Sequence, residues 1–325
     1  MKAIIHTKYG APEVLQMKEV PKPTPKADEI LIKVHASTVN RTDCGFLRGK
    51  PFIVRFFSGL LKPKIRTLGI EFAGEVESIG KDITSFKPGD KVFGFNDMKF
   101  STHAEYLIML ENGPLTTMPE NITYHEAAPI TEGALYALND IRAAKVQRGQ
   151  KILINGTTGA IGSAAVQLVK YFGAEITAVC DTKNMELVKS LGADEVIDYK
   201  DQDFTKIHKT FDIVFDAVGK SSFGKCKPLL RKGGIYLSTD LGYMAQNPFL
   251  AVITPIFGNK KVLMPVPRIG KKDVIFLKEL VENGKFKPVI DRYYDLEQIA
   301  DAFKYVETGQ KTGNVVITVD HSETK

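Results

Sequence analysis

At 325 residues the chain is long enough for two domains with buried cores. Its 43% hydrophobic and 25% charged content is that of an ordinary soluble globular protein. Cys44, Cys180 and Cys226 are scattered, which excludes a disulfide framework and a four-cysteine zinc module and fits a reducing cytoplasm. The net charge of +6 is spread along the chain without a basic run interleaved with aromatics, which weighs against nucleic acid as a partner. No membrane span is expected, because the longest apolar region, 248–258, is short and interrupted by Pro255. The opening MKAIIHTKYG lacks the apolar core of a secretory signal.

In chain order, residues 1 to about 120 read as strands and turns. A proline-broken approach leads into the alternating strand 29–34, and FAGEVESIG and FKPGDKVFGF are short runs closed by glycine turns. Near His125 the pattern changes. HEAAPITEGALYALNDIRAA reads as one helix, followed by strand 151–154, a glycine turn, helix 160–171, strand 175–179, helix 183–190 and strand 195–197. Strand 213–215, a helix through 226–230 and strand 234–238 continue the alternation, which predicts parallel βαβ units wound into an open sheet. Helix 274–282 and strand 314–319 return to the character of the N-terminal region. The expected fold class is therefore α/β, with a doubly wound domain inserted into a β-rich one.

The turn ING-TTGAIGS places Gly156, Gly159 and Gly162 in a G-x-x-G-x-x-G spacing between a strand and a helix. Glycines there allow a tight turn and close approach of a pyrophosphate, and the helix N-terminus offers unpaired N–H groups. Asp181 stands 19 positions beyond Gly162, close to the ~20 expected of a ribose-binding carboxylate. Together these predict a dinucleotide site, with Thr158, Ala160 and Ile161 completing the turn. Asp181 favours NADH by repelling a 2′-phosphate; Lys183 favours NADPH by pairing with one. Asp181 also suits a plain helix cap.

VHASTVNRTD, LGIEFAGEVESIG, FKPGDKVFGF, AAPITEGALYAL, KSLGADEVIDY, FDIVFDAVG and GQKTGNVVI occur in an order that resembles the medium-chain dehydrogenase/reductase superfamily, in its zinc-independent, quinone oxidoreductase-like branch. The resemblance implies a GroES-like catalytic domain over 1–123 and 265–325 around a Rossmann domain over 124–264. Zinc-dependent relatives carry a cysteine where this chain has Asn40 and a histidine where it has Ile70, so no catalytic zinc is expected. Glu71 remains from that motif and is expected to be structural.

By resemblance, Thr131 faces the nicotinamide, and Val218, Ser238, Lys311 and Asn314 lie along the coenzyme. Asn40 and Tyr243 are candidate catalytic residues: Asn40 as an amide donor, or only as a loop holder; Tyr243 as a proton donor, or more simply as cleft wall. Asp43 could hold a water or pair with Arg41 or Arg48. A T-K-N run at 182–184 leans the coenzyme toward NADPH, with NADH as the alternative. Residues 261–265, KVLMP, resemble the family strand that pairs across a homodimer axis. The apolar and basic segment 49–69 either admits an apolar substrate, meets a membrane surface or packs against its own domain. The expected activity is hydride transfer from NAD(P)H to a small apolar electrophile, a quinone or an α,β-unsaturated carbonyl. Its rivals are a 2-enoyl thioester reductase and a non-catalytic NADPH-binding protein, structural or RNA-binding.

Overall fold

A computed structural model describes residues 1–321. They form two compact units, Met1–Glu132 with the chain from Gly270 onward, and Gly133–Ile269. Among the described residues no helix is long and apolar enough to cross a membrane.

The first unit is the β-rich one. Its main sheet runs, in spatial order, Ile290–Asp295, Asn314–Thr318, Glu29–Val39, Glu71–Ile79, Lys91–Phe95 and Leu115–Thr117, with Tyr106–Leu110 also paired to Glu29–Val39. All these pairings are antiparallel except the first. Strand Glu29–Val39 is buried along almost its whole length and extends five residues beyond the alternating stretch that predicts it. Polar Ser37 and Thr38 can be interior because each hydroxyl finds a partner across the sheet: Ser37 Oγ donates to Glu71 O at 2.8 Å, and Thr38 Oγ1 to Glu71 Oε2 at 2.6 Å. The strand ends at Asn40, the N-cap of helix Arg41–Arg48.

The single helix expected from His125 is broken. Tyr124–Ala127 is a helical turn and Ala128–Ile130 a 3₁₀ turn, and the longer helix Glu132–Ala143 starts afresh. Pro129 supplies the break, since it lacks the N–H that a continuous helix would donate to the carbonyl of His125, although Ala128 before it keeps helical dihedrals (φ −53°, ψ −48°). Thr131 falls at that interruption. Thr123 and Glu126 close a capping box on the first turn, and His125 Nε2 lies 3.0 Å from Thr318 Oγ1, tying the turn to this unit's sheet.

The second unit has six strands, all parallel: Glu195–Asp198, Glu175–Cys180, Lys151–Asn155, Phe211–Asp216, Leu230–Ser238 and Lys261–Leu263 in spatial order. Numbered within the unit this is 3-2-1-4-5-6, the doubly wound arrangement whose ligand crevice opens where the order reverses, between Lys151–Asn155 and Phe211–Asp216. Leu153, Val179, Val214, Tyr236 and Val262, one from each of five adjacent strands, pack one core cluster. Strands covered on both faces are continuous apolar runs, which is why they read so plainly from sequence. Helix Ala160–Tyr171 has the expected bounds.

The glycine turn connects strand to helix under tight steric limits. Gly156 has φ +82°, and a Cβ on it would meet the Val218 side chain at 2.3 Å. A Cβ on Gly162 would lie 2.0 Å from Gly156 O. Replacing Gly162 by alanine must therefore push the turn off the helix. G162A is expected to lower stability by ~1–3 kcal/mol, read by urea unfolding, and to weaken coenzyme binding measured by titration calorimetry.

Candidate active site and coenzyme site

In the first unit a cluster of buried polar groups surrounds Glu71, the first residue of its strand. Glu71 Oε2 accepts from Thr38 Oγ1 (2.6 Å) and Asn40 Nδ2 (3.1 Å); Oε1 accepts from Thr131 Oγ1 (2.9 Å) and Glu132 N (2.5 Å). Glu71 and Thr131 are wholly buried. Burial raises the Glu71 pKa, while the hydrogen bonds from Thr38, Glu132 N and Thr131 and the nearby Lys311 ammonium work the other way. A carboxylate, with acceptors only, is the form that satisfies all four donors at once.

Lys311, from the loop before strand Asn314–Thr318, donates to Asn40 Oδ1 at 2.9 Å and to Gly313 O at 2.5 Å. Burial lowers its pKa, and Glu132 and Glu71 oppose that. The amide of Asn40 is thus engaged at both ends, its nitrogen by Glu71 and Thr38 and its oxygen by Lys311. Lys311 keeps a third N–H with no partner among the described residues.

Asp43 pairs with neither arginine. Its two oxygens accept from the backbone N–H groups of Asn40 and Gly69, both at 2.9 Å, while Arg48 forms a two-pronged pair with Glu307 at 2.6 Å. Burial pushes the Asp43 carboxyl up to about 7 against those two bonds. Glu132 accepts from Thr42 Oγ1 through Oε1, and its buried Oε2 has no partner. Burial, followed by the neighbouring Glu71 and Asp43, raises the Glu132 pKa well above the ordinary carboxylate range. A protonated Glu132 beside an ionised Glu71 is the arrangement that avoids two adjacent buried anions.

The donor set does not fit a zinc ion. Asn40 offers only an amide oxygen already held by an ammonium, and Ile70 is a buried hydrocarbon beside Glu71.

In the second unit the glycine turn does fit a dinucleotide. Helix Ala160–Tyr171 has Gly159 as its N-cap and no side chain capping its first N–H groups. The space where a Cβ of Gly159 would project is open but for Gly156 O at 4.0 Å, so an anion can reach those groups. Thr157 is wholly buried and donates to Val179 O at 3.0 Å, whereas Thr158, Ala160 and Ile161 are partly exposed at the mouth of the turn. Across the switch point Asp216 braces the second loop. Asn155 Nδ2 donates to it at 2.9 Å, Ser221 N at 2.8 Å and the Tyr236 hydroxyl at 3.2 Å, holding Ala217–Gly219 with Val218 against Gly156. Sequence reasoning passed over Asp216, although it ends a strand whose neighbour ends in Asn155, and that pairing was the available signal.

Asp181 begins the turn after strand Glu175–Cys180, but its side chain caps no backbone group; Oδ1 accepts from Asn184 Nδ2 at 2.5 Å. Lys183 is exposed and has no carboxylate partner among the described residues. Ser238 is buried at the end of its strand, within 3.3 Å of Asp240 N and O. Tyr243 is 81% exposed, which does not match a residue filling a wall. Asn314 lies in the first unit, hydrogen-bonded through N and Nδ2 to Val289 O at 2.8 and 3.0 Å, with its own Oδ1 buried and unpartnered.

Residues 26–127 match the family described as the alcohol dehydrogenase GroES-like domain, and residues 191–317 the one described as zinc-binding dehydrogenase. A 2-methylene-furan-3-one reductase of Solanum lycopersicum is 33% identical over 98% of this chain and 79% of its own length. The chain belongs to the medium-chain dehydrogenase/reductase superfamily, in its quinone oxidoreductase-like branch. An NADPH-dependent alkenal/one oxidoreductase of Arabidopsis thaliana is 31% identical with the same coverage. The quinone oxidoreductase of Coxiella burnetii superposes with a TM-score of 0.87 at 28% identity, covering 98% of this chain and 99% of that one. The word zinc belongs to the description of the matched family; in this chain Asn40 offers an amide and Ile70 offers no ligand atom.

Of the residues that the sequence brought forward, the structure gathers Asn40, Thr131 and Lys311 into the Glu71 cluster, and the glycine turn with Val218 into the switch-point crevice. Thr38 and Glu132 were missed. Both sit within two residues of a motif position, Thr38 before Asn40 and Glu132 directly after Thr131, but only the sheet register brings them to Glu71.

The protonation of Glu132 has a measurable sign. Its pKa is raised in the fold, so its contribution to stability is complete below the unfolded value of ~4.3 and is lost as pH rises toward the folded value. Glu132→Gln mimics the protonated side chain. Its melting temperature should gain on that of the wild type as pH is raised from 4 to ~8. A gap moving the other way would mean that Glu132 is ionised and paired with Lys311.

Proposed function

We propose that this chain is an NADPH-dependent, zinc-independent reductase that transfers hydride to the electrophilic carbon of a quinone or an α,β-unsaturated carbonyl. The observation that carries the reading is the Lys311–Asn40–Glu71 array: a resident ammonium held among buried carboxyl groups at the position where zinc-dependent relatives carry a metal ligand. The names of the relatives, an alkenal/one oxidoreductase and a quinone oxidoreductase among them, support the same substrate class.

A bound nicotinamide dinucleotide supplies the hydride. The uncapped N–H groups at 160–162 bind its pyrophosphate, and the unpaired Lys183 takes a 2′-phosphate, while the Asp181 carboxylate is occupied by Asn184. Lys311 has a third N–H to offer to the substrate oxygen, where negative charge would develop as a carbon accepts hydride. Asn40 and Gly313 fix the ammonium, and Glu71 fixes Asn40 and Thr131. In this scheme Asn40 acts through Lys311 and is a positioning residue. A lowered Lys311 pKa also makes that group a readier proton donor to an enolate. Tyr243 has no part in the scheme. A homodimer formed through the edge strand Lys261–Leu263 fits its place at the end of the sheet, and three cysteines buried without disulfides suit a reducing cytoplasm.

Oxidation of NADPH and of NADH by chelator-treated protein, with benzoquinone, an alkenal and an enoyl thioester offered in turn, tests the reading. Turnover is expected with the quinone or the alkenal, and faster with NADPH. Lys311→Met should lower kcat ~10²-fold or more while leaving the coenzyme Kd within a fewfold, as for loss of one oxyanion donor; Lys183→Ala should raise KM for NADPH and spare NADH. Coenzyme binding with every acceptor silent would favour the non-catalytic alternative, and turnover confined to the thioester would favour the enoyl reductase.

A further inference from the structure

Residues 50–66 are unused by either site and unusual in surface chemistry. Phe52, Ile53, Phe56, Phe57, Leu60 and Leu61 are all at least half exposed, Phe57 reaching 75% and Leu61 86%. Contiguous apolar surface on a folded protein marks a place of interaction.

The base of this segment is built. The Tyr9 hydroxyl donates to Gly59 O at 2.5 Å and lies 2.7 Å from Ser58 Oγ, which is buried. Lys64 N donates to Ser58 O at 2.7 Å, and the Arg55 guanidinium sits over the Tyr9 ring, 4.6 Å from its centroid. The segment is thus fastened from beneath while its apolar side chains face outward.

Charge identifies the occupant. From Cys44 through Ile70 there is no aspartate or glutamate, while Lys50, Arg55, Lys62, Lys64 and Arg66 flank the apolar residues. A second copy meeting this face across a two-fold axis would set these cations against their equals. Apolar side chains ringed by lysine and arginine match instead the boundary between acyl chains and acidic headgroups.

We propose that residues 50–66 are a docking surface for an anionic lipid bilayer, with Phe56, Phe57 and Leu61 entering the headgroup region and Lys62, Lys64 and Arg66 meeting its negative charge. The chain then binds the membrane as a peripheral protein, through a surface in its β-rich unit that lies outside the Glu71 cluster. This goes beyond the reductase reading and stands without it.

Flotation of the full chain with phosphatidylcholine vesicles, and with vesicles enriched in phosphatidylglycerol, tests the proposal. The protein should float with the anionic vesicles, stay behind with the neutral ones, and be released by high salt. Phe56→Ser with Phe57→Ser, and separately Lys62→Glu with Lys64→Glu, should each reduce partition about tenfold or more. Melting temperature and the coenzyme Kd should stay at wild-type values, so a failure here is distinct from a failure of the reductase reading. Absence of flotation with either vesicle overturns the proposal, as does partition that neither double variant reduces. Loss of flotation on altering instead the exposed Phe249 and Val252 of helix Gln246–Phe257, with both double variants binding normally, would place the contact there and overturn it too. A change of oligomeric mass in the Phe56/Phe57 variant without any vesicle binding would assign the face to copies of the chain.

Discussion

The carboxylate of Glu71 is the constraint on which the first unit's site depends. A buried anion is tolerated only with its charge compensated and its lone pairs filled, and here four donors reach it from two separate stretches of chain: Thr38 and Asn40, and Thr131 with the backbone of Glu132. Each donor fixes a local structure. Thr38 extends the central strand past its apolar section, Asn40 both caps a helix and turns its amide inward, and Thr131 occupies the break that Pro129 imposes between two helical segments. Removing the carboxylate would leave Thr38 Oγ1 and Glu132 N without their acceptor, each costing ~1–3 kcal/mol when buried, while Thr131 and Asn40 would keep only the longer bonds to Gly94 O and Thr38 Oγ1, both 3.3 Å.

The same argument explains why Lys311 is there. An ammonium near Glu71 and Glu132 offsets the buried charge, and the surplus acidity is held as protons on Glu132 and, near neutrality, on Asp43. Charge balance achieved with a side chain differs chemically from balance achieved with a metal. An ammonium donates directed hydrogen bonds and can give up a proton, whereas zinc acts as a Lewis acid with open coordination. That difference suits reduction of an already electrophilic carbon better than oxidation of an alcohol.

The second unit solves its problem with backbone. Its glycine turn needs no charged side chain: an uncapped helix start, a Gly159 with open space before it and a Gly162 packed on Gly156 O make an anion site from peptide groups. Asp216 hydrogen-bonds Asn155, Ser221 and Tyr236 and so braces the loop opposite.

What the sequence determined by itself was whatever is local or periodic. The parallel strands and helix Ala160–Tyr171 were legible because burial on both faces writes continuous apolar runs. The glycine turn was legible because its chemistry lies within seven consecutive residues, and the lost metal ligands because Asn40 and Ile70 replace known donor types within intact motifs. Tertiary structure alone decided which distant polar groups meet. Nothing in the spacing of residues 38, 71, 132 and 311 announces a shared site, since sheet register and one returning loop bring them together. It also decided that Asp43 serves two backbone N–H groups and not an arginine, that Tyr243 stands in solvent, and that the apolar side chains of 52–61 face outward. Hydrophobicity says that a residue gains by burial; it cannot say whether its own fold or another surface will cover it.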